Sequence, residues 1–580
     1  MAALVRTKTV GSVVFLLATL TVAVSASGQQ FQDFTGVLFP SPNPSDYTNY
    51  IEAGDLNGDG HLDLVFANGG NFSSAGAPQL LRVYINTTGN GKFLDETVAR
   101  TGGLTGNYRG VAFGDVERDG DLDMILSSDF NRQPRMLIND GNGFFSDETA
   151  ARLPVITLSS TRAQFLDIDN DGDLDIYINN GGTTNRFGCG QNRIFVNNGD
   201  GVFADETNTR HPLGNVCQPM DVICYDFDRD FDLDICTGNR STNQSKLYRN
   251  DGDGFFDDIT AGNMPANSNT YSFDFGDIDG DGLIDLLGAN AGPSNNELLL
   301  RGTGTGSFLN VSGQIMPNTT GDDNDSKFFD LDNDGDLDLI IASLFQTREK
   351  IYINDGNGNF TIDNTIITSN SDATLDVMVL DVNNDGRPDI VTGQGESGNF
   401  QNRIYLNVTG PPDTIPPSIV QTEMLSDTAD PVGPYVVRTV VTDGITSDRG
   451  FFDKGVFLNY SVNAGPTQQV EMFWSGNSMW RGEIPGQPCG GTIEYFVTAN
   501  DWVNNTGTGS TESFTVTGGG TPPPGDINED CGVDLVDVDI LVQVLIGADT
   551  DPTHVANSDL DGSGTADGLD IQVMIVLQVP

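Results

Sequence analysis

Acidic side chains recur in this chain at alternate positions of a nine-residue pattern, which begins at Asp55, Asp115, Asp167, Asp226, Asp277, Asp330 and Asp381. Oxygen donors stand at positions 1, 3, 5 and 9, position 6 is a glycine that permits a sharp turn, and position 7 offers its backbone carbonyl. Such a set suits a hard cation taking six to eight oxygens, calcium rather than magnesium, which demands compact octahedral geometry and keeps several waters. The first loop supplies Asp55, Asn57, Asp59, the carbonyl of His61 and Asp63, and the second Asp115, Glu117, Asp119, the carbonyl of Asp121 and Asp123. The third has Asp167, Asp169, Asp171, Asp173 and Asp175, and the fifth Asp277, Asp279, Asp281, Leu283 and Asp285, with position 7 again acting through its carbonyl. The sixth has Asp330, Asp332, Asp334, Asp336 and Asp338, and the seventh Asp381, Asn383, Asp385, Arg387 and Asp389. The fourth, Asp226, Asp228, Asp230, Asp232 and Asp234, carries Phe231 in place of the glycine. Forcing a bulky residue to φ > 0 costs about 1–2 kcal/mol, so weak or altered binding is expected there. So many carboxylates repel one another without a counterion, which makes each metal a staple rather than a catalyst.

The loops need strands to hold them. In the third unit the apolar segment from Ala163 to Leu166 runs into the acidic loop and Ile176 to Ile178 leads out. A second hairpin follows, from Arg193–Val196 through Asn- and Gly-rich turn residues to Val202–Thr207. Each unit thus reads as four antiparallel strands, and the loop intervals of 60, 52, 59, 51, 53 and 51 residues fit one such sheet with its connections. Seven sheets packed radially bury both faces and protect their edges, so the fold class is mainly β, with a seven-bladed β-propeller over residues 27–410. The seventh unit stops after its third strand, and Phe31-Gln-Asp33-Phe-Thr35 resembles the segment it lacks. Residues 31–35 are therefore predicted to close the ring as the outer strand of the last blade.

These D-x-[DN]-x-D-G-x-x-D loops, with following segments such as Asn139-Asp-Gly-Asn-Gly143-Phe, resemble the FG-GAP and VCBS repeats of integrin-alpha-type propellers. The resemblance implies about seven calcium ions at one rim of the propeller, partners bound on other surfaces, and a role in adhesion or recognition.

Past the repeats, a Pro-rich linker at 411–417 leads to alternating apolar runs over 418–517. That segment reads as a sandwich resembling immunoglobulin-like or fibronectin-III-like modules, and contains Trp474, Trp480 and Trp502, assigned to core packing over sugar stacking. A Gly/Pro linker at 518–525 precedes two further loops with an acid at position 12: Asp526, Asn528, Asp530 and Asp537, then Asp559, Asp561, Ser563 and Asp570. An apolar helical pattern follows each. Residues 526–580 resemble a type I dockerin, implying a small α-helical domain with up to two more calcium ions and a cohesin-like partner. Cys531 replaces the usual glycine, and Leu535-Val536 and Gly568-Leu569 replace the polar residues that usually select a cohesin.

Lys and Arg number 28 against 82 Asp and Glu, a net charge of −54, which excludes a phosphate-binding nucleic-acid partner. Residues 1–26 read as a secretory signal, and no other segment is apolar enough to span a membrane, so the expected location is secreted or attached to the cell surface. Export permits disulfides among Cys189, Cys217, Cys224, Cys236, Cys489 and Cys531. A cross-strand bond between Cys224 and Cys236, two free thiols there, and a bond closing the excursion between Cys189 and Cys217 all remain open. Only His61, His211 and His554 are available for His-based catalysis, and the clustered acids are claimed by the loops, so no catalytic residue is assigned. The leading reading is a calcium-stabilised protein that recognises an extracellular protein or polysaccharide. The alternatives are a polysaccharide hydrolase or lyase, as in a cellulosome-like component, and a structural matrix protein.

Overall fold

The computed structural model describes residues 29–580 apart from 268, 293–295, 318–320, 345–348, 364, 397, 444–454, 488–490, 518–523, 529–532, 534 and 579–580. The segment 1–26, expected to be a secretory signal, and Cys489, Asp530 and Cys531 lie outside the described residues. The protein is mainly β.

Among the described residues, the chain from Phe31 to Asn407 forms seven four-stranded antiparallel sheets. In each, the first strand ends at the residue before an acidic loop, and the second strand begins at the loop's position 9. Thr48–Gly54 and Asp63–Asn68 flank the first loop, and Thr374–Leu380 and Asp389–Gln394 the seventh. First strands pack against first strands of the neighbouring sheets, and Thr374–Leu380 packs against Thr48–Gly54, so the order is cyclic. This is the arrangement of a β-propeller.

Side chains tie the inner strands together. Asp221 accepts the Phe273 N–H (2.8 Å), Asp274 that of Phe328 (2.6 Å), Asp325 that of Val377 (3.0 Å) and Asp376 that of Ile51 (2.8 Å). Elsewhere Asn49 donates to the Tyr108 carbonyl, Ser127 to Thr161 and Thr161 to Pro219. Nearer the loops, an asparagine at the end of the third strand, or just past it in the first sheet, reaches the position-2 carbonyl of the preceding loop. These bonds run from Asn139 to Leu56, Asn197 to Val116, Asn250 to Ile168, Asn354 to Ile278 and Asn86 to Val382. In the fifth sheet Gly302 takes the asparagine's place and the Gly306 N–H serves Phe227 instead, while Gln30 serves Leu331.

Phe31–Asp33 pairs antiparallel with Arg403–Asn407 as the outer strand of the last sheet. In the second sheet, Asp147 accepts the Thr149 N–H (3.2 Å) and Thr149 Oγ1 accepts the Met136 N–H (3.0 Å). Asp33 and Thr35 repeat this with Ile404, at 2.9 and 3.0 Å. The segment distant in sequence thus makes the bonds its counterparts make locally, and Thr35 opens the short helix Thr35–Leu38 rather than extending the strand.

One cysteine alternative falls. Cys224 pairs with Ile235 and Cys236 with Ile223, so the two side chains project from opposite faces of the sheet and both are free, buried thiols. Cys189 and Cys217 are directly opposite in a two-stranded ribbon and are disulfide-bonded.

Strands between Ser418 and Thr515 form a four-stranded and a five-stranded antiparallel sheet. Val437, Leu458, Trp480, Tyr495 and Phe514 from these sheets lie in one buried cluster. This unit sits on the acidic-loop side of the propeller. The Asp167 N–H donates to the Ser475 carbonyl (2.7 Å), Asn477 to the Cys224 carbonyl, and Trp474 and Asn477 line an axial hollow together with inner-strand residues. Gly476, at φ 127°, lies so close to Leu166 and Leu233 that any Cβ there would clash.

The C-terminal segment contains helices Leu535–Leu545, Pro552–Asn557 and Asp570–Gln578 around Ile527, Leu541 and Met574. The middle helix was not expected from the sequence, although Asp551 caps it, accepting the Thr553 N–H at 2.8 Å, and Pro552 opens it. No helix among the described residues is long and apolar enough to cross a membrane.

Candidate metal centres

The seven loops share one backbone. Position 4 is left-handed in each, with φ of 55–70° at Gly58, Arg118, Asn170, Arg229, Gly280, Asn333 and Asn384. Position 6 is left-handed too, at 69–95°, and Phe231 adopts φ 69° there like the glycines of the other loops. Glycine and asparagine tolerate this region, whereas Arg118, Arg229 and Phe231 are strained in it. The sequence reading found the second of these positions and missed the first.

Each carboxylate has a fixed post. Position 1 accepts the N–H of position 6 at 2.6–3.0 Å in every loop, which closes the turn. Position 9 is buried in every loop and accepts two N–H groups. One comes from the end of the third strand at 2.7–2.9 Å. The other comes from position 2 at 3.0–3.3 Å. Position 5 is exposed throughout. The site therefore grades from a rigid inner acid to an open outer one.

In the third, fifth and sixth loops the acids at positions 1, 3 and 9 converge, with oxygens mutually within 4.8 Å (Asp167, Asp169 and Asp175; Asp277, Asp279 and Asp285; Asp330, Asp332 and Asp338). In the fourth loop Asp226, Asp228 and Asp230 converge instead. The first and seventh loops carry Asn57 and Asn383 at position 3. In the second, Glu117 is paired with Arg152. Arginines also take one oxygen of Asp169 (Arg210, 3.0 Å) and of Asp279 (Arg301, 2.7 Å).

The remaining oxygens test the fit of a cation. Asp167 Oδ1, Asp169 Oδ1, Asp228 Oδ1 and Asp279 Oδ1 are buried without a hydrogen-bond partner. Buried carboxylate oxygens left so are costly, and a cation drawing on them removes that cost. Proton affinity tells the same story. Burial pushes Asp63, Asp123, Asp167, Asp226 and Asp285 up to about 7 and Asp338 to about 8. Asp330 and Asp381 rise to about 6 for the same reason.

Position-7 side chains, assigned from the sequence only through their carbonyls, meet position 4 of the preceding loop. Arg118 pairs with Asp173 (3.2 Å), Asn170 donates to Asp232 (2.8 Å) and Asn384 meets the His61 ring (3.2 Å), which links the second, third and fourth loops in series and the seventh to the first. Arg229 turns instead to Gln421 of the following unit, and Asn333 to Thr414 of the segment that leads to it. That unit also lends cations: Arg438 pairs with Asp232 (2.8 Å) and donates to the Phe231 carbonyl (2.9 Å), and Arg481 reaches the Asn170 carbonyl and lies 3.9 Å from Asp167. No spacing in the sequence could reveal these contacts.

In the C-terminal segment, Asp559, Asp561 and Asp570 converge as a further cluster, with the Ser563 N–H on Asp561 (2.9 Å). Asp537 accepts the Ile527 N–H at 2.7 Å, as Asp570 accepts that of Leu560 at 2.7 Å, so the two loops repeat one another. Asp526 and Asn528 stand in the first of them. Of the histidines, His211 is buried against the Tyr177 hydroxyl (3.0 Å) and His554 pairs with Asp549 (2.7 Å).

Four stretches, residues 55–126, 226–288, 277–341 and 330–392, match a family model described as FG-GAP-like repeat. With the sheet arrangement, these matches are consistent with a β-propeller that contains FG-GAP-like repeats. A search of curated proteins finds no match. Among solved structures, similarity extends to an Agrocybe aegerita lectin described as recognising non-reducing terminal N-acetylglucosamine (20% identity, 55% of this chain and 80% of that one, TM-score 0.36). It extends also to a putative gluconolactonase (10% identity, 65% and 96%, TM-score 0.29) and to a fructofuranosidase from Schwanniomyces occidentalis (9% identity, 82% and 91%, TM-score 0.26). At such scores the likenesses carry no argument about function.

Proposed function

We propose that this is an exported recognition or adhesion protein. Its head is a seven-bladed propeller in which each acidic loop holds a calcium ion through positions 1, 3, 5 and 9 and the position-7 carbonyl. Residues 418–517 act as an immunoglobulin- or fibronectin-III-like spacer braced against the head. Residues 526–580 act as a dockerin-like attachment module holding up to two further ions. The observation that carries the reading is the set of buried, unpartnered carboxylate oxygens at matching loop positions. In each loop the buried acid at position 9 locks third strand to loop, and calcium would supply the charge that lets the acids at positions 1 and 3 stay ionised beside it. Binding would fix the rim and leave the opposite face to contact a protein or polysaccharide. For the attachment module, Leu535, Val536 and Leu569 are 78%, 52% and 55% exposed at equivalent places in its two halves, which suits an apolar cohesin-like partner surface. The test is binding of the purified mature protein to glycan and extracellular-protein arrays, with calcium and with chelator. Calcium-dependent binding to a discrete ligand set supports the reading, and depolymerisation of a polysaccharide without stable binding overturns it in favour of an enzyme.

A further inference from the structure

The inner strands of the propeller all begin at the edge opposite the acidic loops, and there the sixth sheet departs from the repeat. The third strand of a sheet opens on a cation in six of the seven, Arg82, Arg135, Arg193, Lys246, Lys350 and Arg403, each facing the fourth residue of the second strand. Outside the sixth sheet that cation pairs with an aspartate of the outer strand, Asp95, Asp147, Asp205, Asp258 or Asp33, at 2.5–3.4 Å. In the sixth sheet Ile362 holds the aspartate's register position, and Lys350 joins a buried cluster instead. Its Nζ contacts Asp323 Oδ2 and lies 3.3 Å from Glu297 Oε1. Asp323 opens the inner strand Asp323–Phe329, at the place where the first, fifth and seventh sheets have Thr48, Thr270 and Thr374.

Glu297, Asp323 and Lys350 are 1%, 0% and 3% exposed. The Asn290 N–H holds Glu297 Oε2 (2.9 Å) and the Ser343 hydroxyl holds Asp323 Oδ1 (2.8 Å), so each acid turns its other oxygen to the amine. Glu349, also buried, is committed to the Ser343 N–H (2.8 Å) and the Thr374 hydroxyl (2.7 Å). Glu297 is therefore the acid that faces the Lys350–Asp323 pair. Burial, and after it the neighbouring Asp323, push the Glu297 carboxyl well above the usual carboxylate range, so it holds a proton. Burial lowers the proton affinity of Lys350, but the charge of Asp323 outweighs it and the group starts as an ammonium. A buried ion pair is costly to keep, whereas an amide made from it carries no charge. Groups held in contact away from water also react as though at very high concentration.

We propose that Lys350 and Asp323 join in an intramolecular amide bond, with Glu297 as the catalytic acid. The ammonium first passes a proton to the Asp323 carboxylate, which leaves an amine beside a carboxylic acid. Nζ attacks Cγ and the N–C bond forms. Glu297 gives its proton to the departing hydroxyl, the C–O bond breaks, and Glu297 recovers a proton from the nitrogen. An ammonium and a carboxylate thus become an amide and one water, nothing is oxidised or reduced, and Glu297 ends as it began. The bond clamps the inner strand Asp323–Phe329 to the third strand Lys350–Asn354 across the middle strand Asp338–Ser343. A covalent link between residues 27 apart constrains the unfolded chain as a disulfide does, here in the sheet that packs against the one closing the ring. The equivalent arginines of other sheets offer a guanidinium rather than an amine, and Lys246 is held by Asp258.

The test is the intact mass of the mature, disulfide-reduced protein, followed by tryptic peptide mapping, on the unaltered chain and on Lys350→Arg, Asp323→Ala and Glu297→Gln. The unaltered chain is expected to fall one water short of the mass its sequence sets, to resist cleavage after Lys350, and to yield a branched peptide joining Lys350 to Asp323. Lys350→Arg and Asp323→Ala should each restore the full mass, and Glu297→Gln should slow cross-linking by at least about tenfold. Full mass in the unaltered chain with cleavage after Lys350 would overturn the proposal, as would a missing water that maps to other residues. A bond formed as fast in Glu297→Gln would overturn the part given to Glu297. The decisive reading is made on the unaltered chain, so it stands whether or not each variant folds.

Discussion

The two mouths of the propeller axis are built from opposite ends of the same inner strands, yet they differ in charge, rigidity and access. At the strand ends, seven loops of one backbone present acids, and a neighbouring unit docks on them with Arg438, Arg481 and the hairpin carrying Gly476. At the strand beginnings, connections of unequal length bring arginines and aromatic rings together, and one is held by a disulfide. The repeat thus constrains one face to uniformity and leaves the other to vary. Structural demand concentrates where the repeats agree, and specificity is free to develop where they do not.

Four experiments probe this division, beginning with the largest expected effect. Both mouths depend on ring closure, so Phe31→Ala, which empties a fully buried site at the closing strand, should destabilise the propeller by about 3–5 kcal/mol in denaturant unfolding. A loss near zero would mean that the closing strand is dispensable.

At the acidic mouth, Arg481→Ala removes a cation from the third loop and from the docked sandwich. A loss of about 1.5–3 kcal/mol is expected, with melting separating into two transitions as the units uncouple.

The third experiment concerns pH. Raised carboxylate values mean that the folded state binds protons more tightly than the unfolded chain, so their stabilising contribution is complete below about pH 4 and is lost as pH rises through about 7–8. Calcium-free protein should therefore melt higher at pH 5 than at pH 8. Calcium should reverse that order and release protons on binding, which titration in buffers of different ionisation enthalpy measures.

The smallest effect is expected from Phe231→Gly. It relieves a left-handed phenylalanine worth about 1 kcal/mol, offset in part by lost contact with Arg438, whose guanidinium lies 5.8 Å from the ring centre. Calcium affinity of the fourth loop should rise, as read by titration against the unaltered protein.

Much of the acidic face was legible because its chemistry is local. Alternating acids, the glycine at position 6 and the Phe31–Thr35 segment each announce themselves within nine residues or fewer. The asparagine staples and the left-handed position 4 were also present in the sequence, as the Asn that recurs before the turn in six of the seven units, with Gly302 in the fifth, and as Gly58, Asn170, Gly280, Asn333 and Asn384, a pattern that Arg118 and Arg229 interrupt. Strand register alone separates Cys224 from Cys236, since alternate residues face opposite ways. The arginine mouth and the docked sandwich could not be read at all. Arg109, Arg186 and Arg240 come from three sheets, and only the closed ring makes them neighbours.

The central claim is that the loops are calcium staples, and the most direct measurement is bound calcium per chain together with thermal unfolding of the mature protein, before and after chelation. The account predicts several ions per chain, about seven of them in the propeller, and a propeller transition that falls by more than about 10 °C when they are removed. Little bound calcium and an unchanged transition would contradict it.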